Sequence, residues 1–289
     1  MTTTQKQILE EKRARLRPYP DYINKDVGII LCNDSYQNWK SHGINEKAQL
    51  ILSDIPYAIG TDAYGSNPMW YEGGDNKNGE SKLAGKAFFD TDYTFRVKEF
   101  LHFSSQMLKP EPKTNDNGKT IGKNGKKSGG APCMIIFCSF EQQYQLIEAA
   151  KEFGFNHYIN LVFRKNYSAQ VLKANMRIVG NCEYAVLLYR ERLPKFNNNG
   201  AMIMNCFDWI RDLDTPKVHP TQKSVPVLER LIEIFTDEGD VVIDPCAGSG
   251  TTLLAAANLR RKAYGFEIKK DIFKDATMKV LPFIQRQLF

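Results

Sequence analysis

No run of 18 apolar residues occurs in this chain, so a helical membrane span is not expected. The N-terminus lacks the basic-then-apolar pattern of a secretion leader. Six cysteines are scattered through the sequence, at Cys32, Cys133, Cys138, Cys182, Cys206 and Cys246, with no CxxC pair among them. That spacing reads as core thiols in a reducing, cytoplasmic setting, and a zinc site is not expected. Gly118-Lys119-Thr120 has the ending of a phosphate-binding loop, but Lys113 stands where the first glycine belongs and no strand precedes it. The dinucleotide fingerprint is also incomplete: counted from Gly248, its third glycine is replaced by Leu253, which disfavours a nicotinamide enzyme.

What is present fits one large α/β domain with an insertion, since 289 residues can bury a sizeable core. Apolar residues make up 42% and charged residues 25%, ordinary for a globular chain. The net charge of +6 is concentrated in two places: residues 1–20 and 111–130 each carry five Lys or Arg against two acids. Basic polar stretches of this kind permit phosphate attraction without requiring it.

Two stretches carry the chemistry. The apolar run Ala48-Gln-Leu-Ile-Leu52 stops at Ser53-Asp54-Ile55-Pro56-Tyr57. A buried strand therefore delivers a carboxylate and an aromatic ring to its rim, and Pro56 stiffens the turn while pushing Ile55 toward extended geometry. The Asp54 carboxylate, the Ile55 carbonyl and the Tyr57 face suit a planar base bearing an amino group. Much later, Asp240-Val-Val-Ile leads into Asp244-Pro245-Cys246-Ala247-Gly248-Ser249-Gly250-Thr251 and a helix rich in Ala and Leu. Such a turn lets a ligand approach the backbone and aims helix N-terminal amides at it. A second strand, Lys262–Phe266, closes on Glu267, an acid placed to hold ribose hydroxyls.

D-P-C-A-G-S-G-T-T and D-I-P-Y resemble the cofactor and catalytic motifs of the β-class S-adenosylmethionine-dependent DNA amino-methyltransferases. Lys217-Val-His219-Pro220-Thr221-Gln222-Lys223 is similar to the segment that precedes the cofactor motif in that class, and the motif order is the same. The resemblance spans about residues 27–270. It implies a Rossmann-like fold with a mostly parallel twisted sheet flanked by helices, circularly permuted motifs and a small target-recognition insertion. It also implies S-adenosylmethionine as cofactor, with Gly248 and Gly250 holding its methionine part, Lys223 meeting the methionine carboxylate, Glu267 holding the ribose and Phe266 packing on the adenine. Asp34 stands where the family places an acid near the adenine, although Asn33 replaces the usual glycine; its other reading is a helix cap before Tyr36. The family's second catalytic residue is usually proline, and here it is Ile55, which still offers a backbone carbonyl. An Asp in the first catalytic position is commoner among adenine-N6 than cytosine-N4 enzymes, so the resemblance points to adenine; cytosine-N4, RNA and protein-amide substrates are the alternatives.

The organisation expected is a basic N-terminal segment over 1–20, a catalytic half over 21–166, a target-recognition region over 167–216 and a cofactor-binding half over 217–289. Glycine-rich and lysine-rich insertions at 58–90 and 111–130 are read as mobile. Strands are expected at Val27–Leu31, Met134–Phe137, His157–Phe163 and Tyr184–Tyr189, and helices at Asp92–Leu108, Glu141–Phe153 and Ser224–Phe235. An amphipathic segment runs from Ile272 to the end. Phe163 and Lys165 stand near where the family packs a target base, and Lys165, Lys173, Arg177 and Arg190 are the candidate DNA contacts. Double-stranded DNA is the implied partner, and the class brings a homodimer and a cognate restriction endonuclease into consideration. His219 reads as a packing or capping residue rather than a general base.

Overall fold

The computed structural model describes residues 20–57, 95–113, 130–166, 170–173, 178–219 and 221–286. Its strands are β1 (Tyr22–Asn24), β2 (Ile29–Cys32), β3 (Leu50–Asp54), β4 (Cys133–Cys138), β5 (His157–Arg164), β6 (Gln170–Lys173), β7 (Ile178–Gly180), β8 (Cys182–Tyr189), β9 (Cys206–Asp208), β10 (Val241–Asp244) and β11 (Lys262–Phe266). Its helices are α1 (Val97–Met107), α2 (Phe140–Lys151), α3 (Val225–Phe235), α4 (Thr251–Asn258), α5 (Lys270–Asp275) and α6 (Phe283–Arg286), with a 3₁₀ turn at Tyr36–His42 and a π turn at Ala276–Val280.

The chain divides into two units. The first gathers the segments up to Ser53, Gln106–Lys109 and everything from Asp212 onward; the second gathers Asp54–Ser105 and Pro110–Arg211.

In the first unit the strands lie in the order β1-β2-β11-β10-β3. β2, β11, β10 and β3 are parallel neighbours, and only β1 is antiparallel, joined to β2 by a tight turn through Gly28 at φ +72°. The parallel strands are apolar runs rather than alternations: Val241 to Asp244 and Leu50 to Ser53 are buried throughout. That is the pattern of strands covered on both faces. α3 buries Val227, Leu228, Leu231, Ile232 and Phe235 along one stripe and packs against α4, which is buried from Thr251 to Ala257.

In the second unit the order is β4-β8-β5-β9, with β8 antiparallel to both of its neighbours and β9 parallel to β5. β4 is buried at every residue. α2 begins at a capping box: Ser139 accepts the Gln142 amide, and the Gln142 side chain accepts the Ser139 amide. β6 and β7 form a separate antiparallel pair.

Several boundaries differ from those expected. β1 has no apolar run to announce it; pairing with β2 makes it a strand. β2 in turn pairs with β11, so residues 20–32 fall in the unit that holds the cofactor motif. The mostly parallel character expected is seen in β2, β11, β10 and β3, and β8 enters antiparallel between β4 and β5. The strand expected at Val27–Leu31 begins at Ile29, because Gly28 is used for the turn. Lys195 is buried, and its amide donates to the Ala131 carbonyl at 3.0 Å. The insertion at 58–90, most of 111–130 and the N-terminal basic segment lie outside the described residues.

Candidate active site

At the carboxyl ends of parallel strands, backbone groups and side chains converge without a following strand to cover them, which is where open α/β sheets bind ligands. In the first unit that position is held by the turn after β10. Asp244 is buried, and its Oδ1 accepts from Ser53 Oγ at 2.7 Å and from the Cys246 amide at 3.1 Å. The motif aspartate thus ties its own turn to the neighbouring β3. The Ala247 amide donates to the Phe266 carbonyl at 2.9 Å, linking the turn to β11. A side chain at Gly265 would meet Leu253 Cδ1 at 2.8 Å and Ala247 Cβ at 2.9 Å, so the glycine is what lets β11 lie against the turn. Gly248 and Gly250 have φ of +51° and +77°, and Gly250 caps α4. Pro245, Ala247, Ser249 and Thr251 are buried, while Cys246 and Gly248 form the partly exposed lip.

Glu267 follows β11 and is buried, yet both of its oxygens are engaged: Oε2 accepts the Gly248 amide at 3.0 Å and Oε1 the Lys269 amide at 2.7 Å. Burial pushes its pKa up to about 7; the Asp244 charge adds to the rise, and the two amide bonds only partly offset it. A buried carboxylate at a glycine turn has the chemistry to accept hydroxyl hydrogens from a ribose. The donor set therefore fits a nucleoside cofactor.

Asp34, at the end of β2, lies in the same unit. Its Oδ1 accepts from the Ser35 amide and from Asn38 Nδ2, both at 2.8 Å, and its Oδ2 is 3.0 Å from His42 Nε2. The His42 ring is fully buried, with its other nitrogen 2.7 Å from Asp21 Oδ2. Burial works against ionisation of Asp34, but Asn38, His42 and the Ser35 amide together hold its pKa below the ordinary value. The helix cap expected at Asp34 is supplied by Ser35, whose Oγ accepts the Gln37 amide. Phe266 is 1% exposed, and its ring meets the His42 ring edge-on at 6.1 Å. Neither His42 nor Asp21 carries a motif that sequence reading would single out.

Lys223 is buried just before α3. The preceding loop is shaped by Gln222, whose amide side chain accepts from the Val218 amide and donates to the Pro216 carbonyl. His219 Nδ1 lies 3.0 Å from Thr221 Oγ1, and burial together with Lys269 and Lys223 pushes its pKa down. The neutral, hydrogen-bonded ring suits a loop-shaping residue.

The second unit opens at Asp54, the last residue of β3. Asp54, Pro56 and Tyr57 are partly exposed and Ile55 is buried. The Ile55 amide donates to the Phe137 carbonyl at 3.2 Å, and the Pro56 carbonyl accepts from Gln142 Nε2 at 2.7 Å. Gln142 was absent from the sequence candidates, although Ser139-x-x-Gln142 before an apolar stretch is a legible helix start.

The candidate DNA contacts sit in different settings. Phe163 is wholly buried among Phe137, Phe207 and Trp209, a core ring. Lys165 pairs with Glu183, and its ammonium lies 4.7 Å from the Trp209 ring centre. Arg190 donates to the Ser105 carbonyl at 3.0 Å and lies over the Phe155 ring; burial lowers its pKa. Both cations thus have intramolecular contacts that organise the unit. Lys173 belongs to β6, and Arg177 lies outside the described residues.

Parallel strands, a glycine turn, a helix behind it and an acid at the next strand tip define a Rossmann-like enzyme of the methyltransferase class. The chain belongs to the N6/N4 DNA methylase family, whose model, described as DNA methylase, matches residues 48–278. It is 44% identical over 276 residues to the Type II methyltransferase M2.LlaDCHI of Lactococcus lactis subsp. cremoris, covering 90% of this chain and 91% of the relative. It is 31% identical over 240 residues to the DNA adenine methyltransferase YhdJ of Escherichia coli, covering 79% and 74%. The crystal structure of an M1.HpyAVI–SAM complex shares the fold, with a TM-score of 0.58 at 22% identity, over 86% of this chain and 97% of that one. The protein is an S-adenosylmethionine-dependent DNA methyltransferase. Among the described residues no helix is long and apolar enough to cross a membrane.

Proposed function

We propose that this enzyme methylates the exocyclic N6 amine of an adenine flipped out of double-stranded DNA. The observation that carries the reading is the end of β3, where Asp54-Ile55-Pro56-Tyr57 leaves a buried strand with its backbone held by Phe137 and Gln142. An aspartate in the first position and a relative named as a DNA adenine methyltransferase both favour adenine.

An exocyclic amine is a poor nucleophile because its lone pair is delocalised into the ring. Asp54 and the Ile55 carbonyl accept its two N–H bonds, draw the nitrogen toward tetrahedral geometry and localise the lone pair. Tyr57 stacks on the extruded base, which cannot be reached inside the duplex. S-adenosylmethionine, when bound, supplies an electrophilic methyl group on a sulfonium. The Gly248–Gly250 turn and Lys223 would hold its methionine part, Glu267 its ribose and Asp34 the adenine side, with Phe266 buried behind them against His42. Direct displacement needs no covalent enzyme intermediate, so no cysteine acts as nucleophile.

A cognate restriction endonuclease and a cytoplasmic location belong to the same proposal, in keeping with relatives named as Type II methyltransferases. A homodimer is the remaining expectation, checked by light scattering. The test of function is incubation with S-adenosylmethionine and unmethylated genomic DNA, followed by mass analysis of the nucleosides. N6-methyladenine, lost in Asp54→Ala while cofactor binding persists, is the expected result. N4-methylcytosine would overturn the choice of base, and normal turnover in Asp54→Ala would overturn the mechanism.

A further inference from the structure

Gln142 is the third residue of α2, and its side chain is used at both ends. Oε1 accepts the Ser139 amide at 3.1 Å, closing the capping box, while Nε2 donates to the Pro56 carbonyl at 2.7 Å. The residue is only 6% exposed. A capping box explains the first bond and makes no use of the second.

The second bond acts on the catalytic turn. Ile55 and Pro56 have three backbone polar groups between them, because proline has no amide hydrogen. The Ile55 amide goes to the Phe137 carbonyl at 3.2 Å, and the Pro56 carbonyl goes to Gln142. The third is the Ile55 carbonyl, the group assigned above to the substrate amine. The flanking bonds fix the peptide planes on either side of it. We infer that Gln142 is a positioning residue for methyl transfer, its bond to the Pro56 carbonyl holding the Ile55 carbonyl and the adjoining Asp54 carboxylate in the geometry that the amine requires. The inference rests on the methylation reading above.

Glutamate separates the two roles of Gln142. It closes a capping box as well as glutamine does, but when ionised it has no hydrogen for the Pro56 carbonyl and sets a negative charge against it. Gln142→Glu should therefore stay folded at the assay temperature with wild-type S-adenosylmethionine affinity, its melting temperature lowered by the charge buried against the Pro56 carbonyl. Its kcat for DNA methylation should fall on the order of ten- to a hundred-fold, because small displacements of reacting groups cost that much. The ratio of variant to wild-type kcat should rise as pH falls toward protonation of the new carboxyl, which then donates again. Ser139→Ala breaks the capping box from its other side and leaves the bond to Pro56; it should lower the melting temperature and retain most of kcat. A Gln142→Glu enzyme within about twofold of wild-type kcat would overturn the inference. So would an equal loss of kcat in Ser139→Ala, because the effect would then belong to the helix cap. Wild-type enzyme is assayed alongside; its failure to methylate DNA would sink the parent reading before the variants are compared.

Discussion

Glu267, the proposed ribose ligand, is buried at the expense of stability. The carboxyl has a pKa of about 7 in the folded chain against an ordinary 4.5, because it is buried. The folded state therefore holds that proton more tightly than the unfolded state does. The stabilising contribution is fully present below about pH 4.5 and is lost as pH rises to 7, a swing on the order of 3 kcal/mol. Glu267→Gln cannot titrate, so denaturant unfolding should show its stability gaining on wild type by about that amount between pH 4 and 8. Ribose hydroxyls donate to the ionised form, so S-adenosylmethionine should bind wild type more tightly as pH rises through 7. That dependence should flatten in Glu267→Gln. A parallel pH profile in the two proteins would mean that another group controls cofactor binding.

At the scale of the element, the sequence was legible wherever burial is written as a run. β4 is an unbroken apolar run and β10 and β11 are apolar but for one terminal charged residue, and their strands fall where expected to within one residue at each end. β1, β6, β7 and β9 are three or four residues long, and pairing rather than composition makes them strands. The glycine turn was legible because only glycine is at ease at the φ values of Gly248 and Gly250. The partners that shape the candidate site were not. Ser53 bonds Asp244 across 191 residues and Asn33 bonds the Glu267 carbonyl across 234, and no local pattern announces such pairs. The Asp21–His42–Asp34 cluster is of this kind. It joins the segment before β1 to the end of β2 through a ring with no exposed surface. Truncating the ring would remove the shared partner of two carboxylates and open a cavity at a fully buried position. His42→Ala should cost about 3 kcal/mol in denaturant unfolding, the scale of a large-to-small change at a buried site. It should also weaken S-adenosylmethionine binding, because Asp34 and the Phe266 ring lose the group that fixes them. A loss within about 0.5 kcal/mol, the usual range for surface changes, would show that the cluster does not hold this region together.

For the whole molecule, the distribution of charge decides how DNA is met. Segments 1–20 and 111–130 each carry a net +3, and the remainder sums to zero. The cations Lys165 and Arg190 are held by Glu183 and by the Ser105 carbonyl, so organising their unit already occupies them. Phosphate attraction is then expected to come from the two basic segments and from Lys173 and Arg177. Each phosphate that a cation neutralises releases condensed counterions and contributes about 0.9 to the slope of log affinity against log salt. Replacing Lys113, Lys119, Lys123, Lys126 and Lys127 by glutamine should therefore weaken binding to specific and non-specific duplexes alike. It should also flatten the salt slope by about one for each phosphate left without its lysine. Lys173→Gln and Arg177→Gln test the expectation that residues 167–216 recognise the target. They should lower affinity for the methylated site more than for an unrelated duplex if they touch base edges, and equally for both if they touch phosphates. Titrations at several salt concentrations separate these outcomes. An unchanged slope in the five-lysine variant would remove the 111–130 segment from the DNA interface.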